Sequence, residues 1–186
     1  MPRGDAPRSR LVACALALFS RHGVAGTSLR MIADELGVTK AAVYYHFRTK
    51  EDIVREVLAP AFDNFARLLE EAAERRPEDR PGALVAGLAR QAVAHRDLYA
   101  IVLQDVTAAQ LRRESPEHLA TFRRLRDTLA GPEPTPDALV RAAIFLSGLM
   151  GPAVDPDVAD LGDAELEAAI MTAGDKLLGT PVAVSR

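Results

Sequence analysis

With 186 residues, 48% of them hydrophobic and 26% charged, and a net charge of −3, the chain has the composition of an ordinary soluble globular protein of one or two domains. No apolar run approaches the roughly 18 residues that span a bilayer, the N-terminus lacks the apolar core of a signal peptide, and a single cysteine excludes an intrachain disulfide, so a cytoplasmic protein is expected. The charge is uneven: residues 8–50 hold seven Lys/Arg against two acids, a net of +5, which sets a basic module on an acidic body.

Helical periodicity runs nearly throughout, and no segment alternates as a strand does. The first helix is expected over Arg8–His22, with Leu11, Cys14, Ala15, Leu18 and His22 on one face and Gly23-Val-Ala-Gly26 as its stop. Cys14 reads there as a small buried hydrophobe. Thr27 or Ser28 can cap a second helix running to Leu36, Gly37 breaks the pattern, and a short third helix starts near Thr39. Thr49-Lys-Glu-Asp52 reads as a capping box ahead of Ile53, Val54, Val57 and Leu58. That fourth helix is expected to reach Arg75, with a bend at Pro60. A loop over Arg76–Gly82 precedes helices at Ala83–His95 and Asp97–Gln104. Ser115-Pro116 and Thr135-Pro136 each set a cap residue before a proline at the first helical position, opening helices over Ser115–Ala130 and Asp137–Met150. A last helix covers Asp163–Leu178. Nine helices, the first three compact and basic, predict an all-α chain with an N-terminal three-helix domain over residues 1–52 and a helical domain over 53–186.

The informative segment is Thr27–Phe47. Two helices crossing steeply through a short turn need a small residue at the contact, a glycine in the turn and apolar plugs in the angle. Ala33, Gly37 and the set Ile32, Leu36, Val38 and Val43 stand at those places. On the third helix Lys40, Ala41, Tyr44 and Tyr45 share one face, while Ala42 and Val43 turn towards the packing side. Two adjacent tyrosines on an outward face suit DNA, where phenols bond phosphates and rings touch thymine methyls or sugars. Ala41 permits close approach to a base edge, Lys40 can reach a guanine or a phosphate, and His46 and Lys50 flank the groove. Hinge packing is the competing use of these aromatics; it suits Phe47, remains as open as DNA contact for Tyr45, and is the weaker reading for Tyr44.

The run Ala33–Ile53, with Phe19–Leu29 before it, resembles the N-terminal signature of the TetR family of bacterial transcriptional repressors. The resemblance covers residues 8–58. It implies a homodimer that sets a recognition helix, starting near Thr39, in the major groove of palindromic double-stranded operator DNA and is released by a small-molecule effector. It also implies that Thr27, Arg30, Thr39, Lys40, Ala41, Tyr44, Tyr45, His46 and Lys50 occupy DNA-contact positions, and that the cytoplasmic protein sits on the nucleoid when bound. Ala42 lacks the hydroxyl some relatives carry there.

The body carries no motif of its own. The helix from Ala138 to Met150 is apolar nearly all round and must be covered on every side. Either it is the core of a monomeric body or its outer face meets another chain; the resemblance implies that it and the last helix pair with their symmetry mates, a dimer interface through Leu139, Ala142, Leu146, Leu166, Ile170, Ala173 and Leu177. The candidates for an effector pocket are Phe62, Phe65, Leu69, Leu88, Tyr99 and Leu103, continuing with Phe122, Leu125, Phe145 and Leu149, and the polar Gln91 and His95. An apolar or amphipathic effector would suit them. His22, His46, His95 and His118 are scattered away from partners at ligand spacing, so no metal or cofactor is expected. No phosphate loop, nucleophile elbow or triad spacing supports an enzyme. A DNA-binding activator, or a regulator without an effector, remains the alternative.

Overall fold

The computed structural model describes residues 7–96, 98–99, 115–153 and 155–179. Among them are α1 (Arg8–Gly26), α2 (Leu29–Leu36), α3 (Lys40–His46), α4 (Lys50–Ala73), α5 (Arg80–Ala94), α6 (Pro116–Ala130), α7 (Pro136–Gly148), the single turn α8 (Pro156–Ala159) and α9 (Asp163–Leu178). No strand occurs among the described residues. The helix expected over 97–104, with Leu103 and Gln104, lies outside them apart from Leu98 and Tyr99.

The helix starts follow the cap chemistry. Ser28, Thr39, Thr49, Ser115 and Thr135 each accept a backbone N–H from the first turn of the helix that follows. Thr49 and Asp52 close both halves of a capping box, at 3.1 and 3.0 Å. The single turn α8 stands in a stretch expected as loop, α4 and α7 each end two residues early, and two boundaries differ by more than that. Pro77–Asp79 form a 3-10 turn, and α5 starts at Arg80 with Pro81 in its first turn, where a missing N–H costs nothing. Gly23, at φ 71°, interrupts α1, after which the chain regains helical form as far as Gly26.

α1, α2 and α3 make a small head, with α1 against α2 and α4 and α2 against α3. In the body α5 is central, packed on α4, α6 and α9, while α7 lies on α6 and α9. Gly174 sets the crossing of α5, α7 and α9, while Gly87 faces the flexible Leu68 side chain. A Cβ on Gly87 would lie 2.4 Å from Leu68 Cδ2, and one on Gly174 would lie 2.7 Å from Val85 and 2.9 Å from Phe145. A single hydrophobic cluster runs from Leu11 to Ile170. Within it α4 is common to head and body: it runs unbroken through Pro60, its first turns hold α1, and its later turns carry Phe65, Leu68, Leu69 and Ala72 into the body core.

Candidate nucleic-acid interface and internal cavity

The head is a helix-turn-helix. Gly37 ends α2 in the left-handed region at φ 67°, with its N–H on the carbonyls of Ala33 and Asp34. Only glycine takes that conformation without steric cost. Val38 then plugs the angle between the helices, and Thr39 caps α3 three residues after α2 ends. Val43 is fully buried and fixes how α3 rolls, so Lys40, Ala41, Tyr44 and Tyr45 all face solvent on its other side. Tyr45 is 81% exposed, more than any other large hydrophobic side chain among the described residues. The Lys40 ammonium lies 5.3 Å over the Tyr44 ring, and His46 stands edge-on to Tyr45 at 5.1 Å. Arg30 projects from α2 into solvent and lies 3.6 Å from Asp34.

Two residues expected at DNA have other work. Thr27 is 2% exposed; its hydroxyl donates to the carbonyls of Gly23 at 2.8 Å and Leu18 at 3.3 Å, closing the end of α1. Its side chain therefore points into the head. Lys50 donates to the carbonyls of Val24 at 2.7 Å, Thr27 at 3.2 Å and Ala25 at 3.4 Å. A cation on the orphan carbonyls of a helix end is favourable through both hydrogen bonds and the helix dipole. Lys50 thus pegs the start of α4 to the end of α1. Arg8 reinforces that joint, pairing with Glu56 through two nitrogens at 3.0 and 2.8 Å while its guanidinium covers the Phe47 ring at 4.9 Å. The paired Arg8 holds the Glu56 carboxyl below the ordinary carboxylate range. Phe47 is hinge packing, as expected: buried, and ending α3.

The body holds an apolar cavity lined by Leu58, Ala61, Phe62 and Phe65 of α4, Leu98 and Tyr99, Phe122 of α6, and Leu146, Leu149 and Met150 at the end of α7. About 30 Å³ of it is open to the centre of a water-sized molecule. That exceeds the roughly 10–15 Å³ one water needs, but it is far below the pockets that hold drug-sized ligands. Of the expected pocket residues, Phe62, Phe65, Tyr99, Phe122 and Leu149 line it. Leu69, Leu88, Leu125 and Phe145 are core side chains away from it. Gln91 is buried behind the wall, donating to the Ala61 carbonyl and accepting from Asn64 Nδ2, both at 2.9 Å. His95 faces an open groove between α4 and α5, beside Asp63 and Arg90. Sequence reasoning missed Leu58, Ala61, Leu98, Met150 and Leu146, the last of which was expected at the dimer face; they are apolar residues that no local pattern separates from core. On the other side of Phe62 the His118 ring stacks on it, 3.5 Å between centroids, and borders an outer groove with Glu56, Asp63 and Glu117.

The expected dimer face is corrected by burial. Ala142, Leu146, Leu166 and Ile170 are covered within this one chain, and Leu139 and Leu177 are half-buried. The opposite side of α7 carries Val140, 57% exposed, and Ile144, 54% exposed. On α9 the uncovered small residues include Ala164, Ala168, Ala169 and Ala173. No group of three or more metal-ligating side chains occurs among the described residues, and none of their helices is long and apolar enough to cross a membrane.

The three-helix head, its glycine turn and the outward face of α3 define a helix-turn-helix protein. Residues 11–57, which span the head and the first turns of α4, match the family model described as bacterial regulatory proteins of the tetR family. The chain is 39% identical over 72 residues to the HTH-type transcriptional regulator AcrR of Shigella flexneri, a match over 39% of this chain and 34% of that protein. It is 30% identical over 102 residues to the HTH-type transcriptional repressor KstR2 of Mycolicibacterium smegmatis, covering 53% of this chain and 48% of that one. The chain thus spans a third to a half of the length of these relatives. Similarity of fold extends further. AibR, solved in complex with isovaleryl coenzyme A and operator DNA, superposes with a TM-score of 0.66 at 20% identity, over 88% of this chain and 95% of that one.

Proposed function

We propose that the protein is a transcriptional repressor that binds operator DNA as a homodimer and releases it when a small molecule enters the cavity. The observation that carries the reading is the outer face of α3, where Lys40, Ala41, Tyr44 and Tyr45 stand clear of the rest of the chain on the basic module. Small, cationic and phenolic groups together suit a major groove, in which base edges and phosphates lie side by side. Val140, Ile144, Ala169 and Ala173 form the face that a second copy would cover, pairing α7 and α9 with their mates.

α4 supplies the coupling. Its start is pegged to α1 by Lys50 and Glu56, and two turns later Phe62 and Phe65 line the cavity. A ligand that parts these rings from Phe122 moves the same helix that holds the head. In a dimer, such a movement changes the spacing of two recognition helices that must meet major grooves roughly 34–36 Å apart. The ligand shifts the equilibrium only by its differential affinity for the two states.

Size-exclusion chromatography with light scattering, followed by titration against the DNA upstream of the protein's own gene, tests the reading. A dimer that prefers this fragment to random DNA is expected. A monomer, or a dimer indifferent to sequence, would overturn the repressor assignment.

A further inference from the structure

We propose that Tyr44 is a positioning residue: its ring holds the Lys40 ammonium towards a guanine edge, so that base selection there depends on the Tyr44 ring and not on its hydroxyl. The inference rests on the reading of α3 as a recognition helix and names what sets its specificity at one base pair.

Most cations of the head are engaged by groups of the chain itself. Arg8, Arg21 and Arg30 lie against the carboxylates of Glu56, Glu35 and Asp34, at 2.8, 3.1 and 3.6 Å. The Lys50 ammonium is turned onto backbone carbonyls. Lys40, the first residue of α3, enters no ion pair among the described residues. Its ammonium lies 5.3 Å over the Tyr44 ring, one turn along the same outward face.

The face of an aromatic ring attracts an ammonium within about 6 Å of its centroid, which favours the contact roughly two- to fivefold at an exposed site. Residues four apart on a helix are neighbours, so the backbone itself brings the two side chains together. The ring belongs to the better anchored of the two adjacent tyrosines, since Tyr44 is 44% exposed and Tyr45 81%. A lysine with no such partner spreads its charge over many rotamers and loses that freedom on binding. Over the ring, Lys40 has lost part of it in advance. It keeps donors for a base, because an ammonium carries three. Guanine alone offers two adjacent acceptors in the major groove, O6 and N7, and so suits such a donor best.

A Tyr44 phenol bonded to phosphate and a Tyr44 ring that positions Lys40 have different consequences. The first acts through the oxygen and weakens binding to all sequences alike. The second acts through the ring, and only at the base pair that Lys40 reads.

The test uses the full chain. A duplex that the parent protein prefers is selected from a random pool, and each G·C pair in it is changed in turn to A·T. The ratio of dissociation constants, read by fluorescence anisotropy, gives the discrimination at each pair. Lys40→Ala is expected to abolish discrimination at one of these pairs. There Tyr44→Phe should keep the parent ratio, and Tyr44→Leu should lower it roughly two- to fivefold. In the Lys40→Ala background Tyr44→Leu should change the ratio no further. Without DNA, ring current should move the Lys40 ε-methylene protons upfield in the parent and in Tyr44→Phe, and Tyr44→Leu should return them to the ordinary lysine position. Melting temperatures show whether Tyr44→Leu leaves the head folded; the Tyr44→Phe arm and the parent's methylene shift decide the question without it.

A parent ratio lost in Tyr44→Phe, equal weakening of every sequence by Tyr44→Leu, or a Tyr44→Leu effect that persists in the Lys40→Ala background would each overturn the proposal. So would unshifted Lys40 methylene protons in the parent, or discrimination that Lys40→Ala abolishes at no pair. Each of these leaves sequence-specific binding intact. Selection that returns no preferred duplex would instead overturn the recognition-helix reading, and this inference with it.

Discussion

The ammonium of Lys50, at the first residue of α4, lies 2.7 Å from the carbonyl of Val24 in the last turn of α1. That contact, shared with the carbonyls of Ala25 and Thr27, makes the lysine a peg between two helices. It also decides what removing the lysine should do.

Lys50→Ala is expected to lower the stability of the chain by about 1–2 kcal/mol, since charge-assisted hydrogen bonds are lost at a partly solvated site. Urea melts measure this. Once differences in folded fraction are allowed for, the salt dependence of DNA binding should keep its slope. A slope reduced by about one unit would instead place Lys50 on a phosphate.

The outer face of α3 predicts the opposite pattern. Tyr45→Ala removes a side chain that is 81% exposed and should leave stability within about 0.5 kcal/mol of the parent. Its operator affinity, read by fluorescence anisotropy, should fall. Lys40→Ala should alter sequence preference, costing about 1–3 kcal/mol at one base pair if the ammonium reads a guanine. Equal weakening on every sequence would make Lys40 a backbone contact.

Gly174→Ala should destabilise by about 1–3 kcal/mol, because the new methyl meets Val85 and the Phe145 ring below 3.0 Å where three helices converge. Gly87→Ala is the control. It meets only the tip of the Leu68 side chain, which can turn away, while alanine favours the helix by up to about 1 kcal/mol. Thermal melts that rank Gly87→Ala below Gly174→Ala would contradict this account of the crossings.

The Arg8–Glu56 pair predicts a pH effect of definite sign. Its folded-state carboxyl titrates below the ordinary range, chiefly through its hydrogen bonds from Arg8. A depressed carboxylate contributes stability at pH above its unfolded value, and that contribution is lost as pH falls through the folded value. Glu56→Gln should therefore be less stable than the parent near neutral pH, with the gap closing on acidification. A gap that stays constant down to about pH 3 would assign the loss to packing instead.

Much of the head could be read before any coordinates. Gly37 in the turn, Val43 inward, and Tyr44 and Tyr45 outward follow from helical spacing and from one glycine's access to positive φ. The caps at Thr49, Ser115 and Thr135 were equally legible, because a side chain bonding an N–H three residues on is a local event. Thr27 and Lys50 were not. Each belongs to a pattern of polar residues around a DNA-binding helix, and nothing in that pattern shows that the Gly23 and Val24 carbonyls lie within reach of them.

The body divides along the same line. The sequence by itself determined that it is helical and where α6, α7 and α9 begin, since local hydrogen bonding and hydrophobic periodicity act over a few residues. The tertiary structure alone decided which side of α7 faces inward. Ala142 and Leu146 lie within the chain's own core and Val140 and Ile144 outside it, a choice made by α6, α9 and the notch at Gly174. It likewise decided that Tyr99 borders a cavity while Leu88 and Leu125 do not. A helix nearly uniform in hydrophobicity does not encode its own orientation; steric fit against partners distant in sequence selects it.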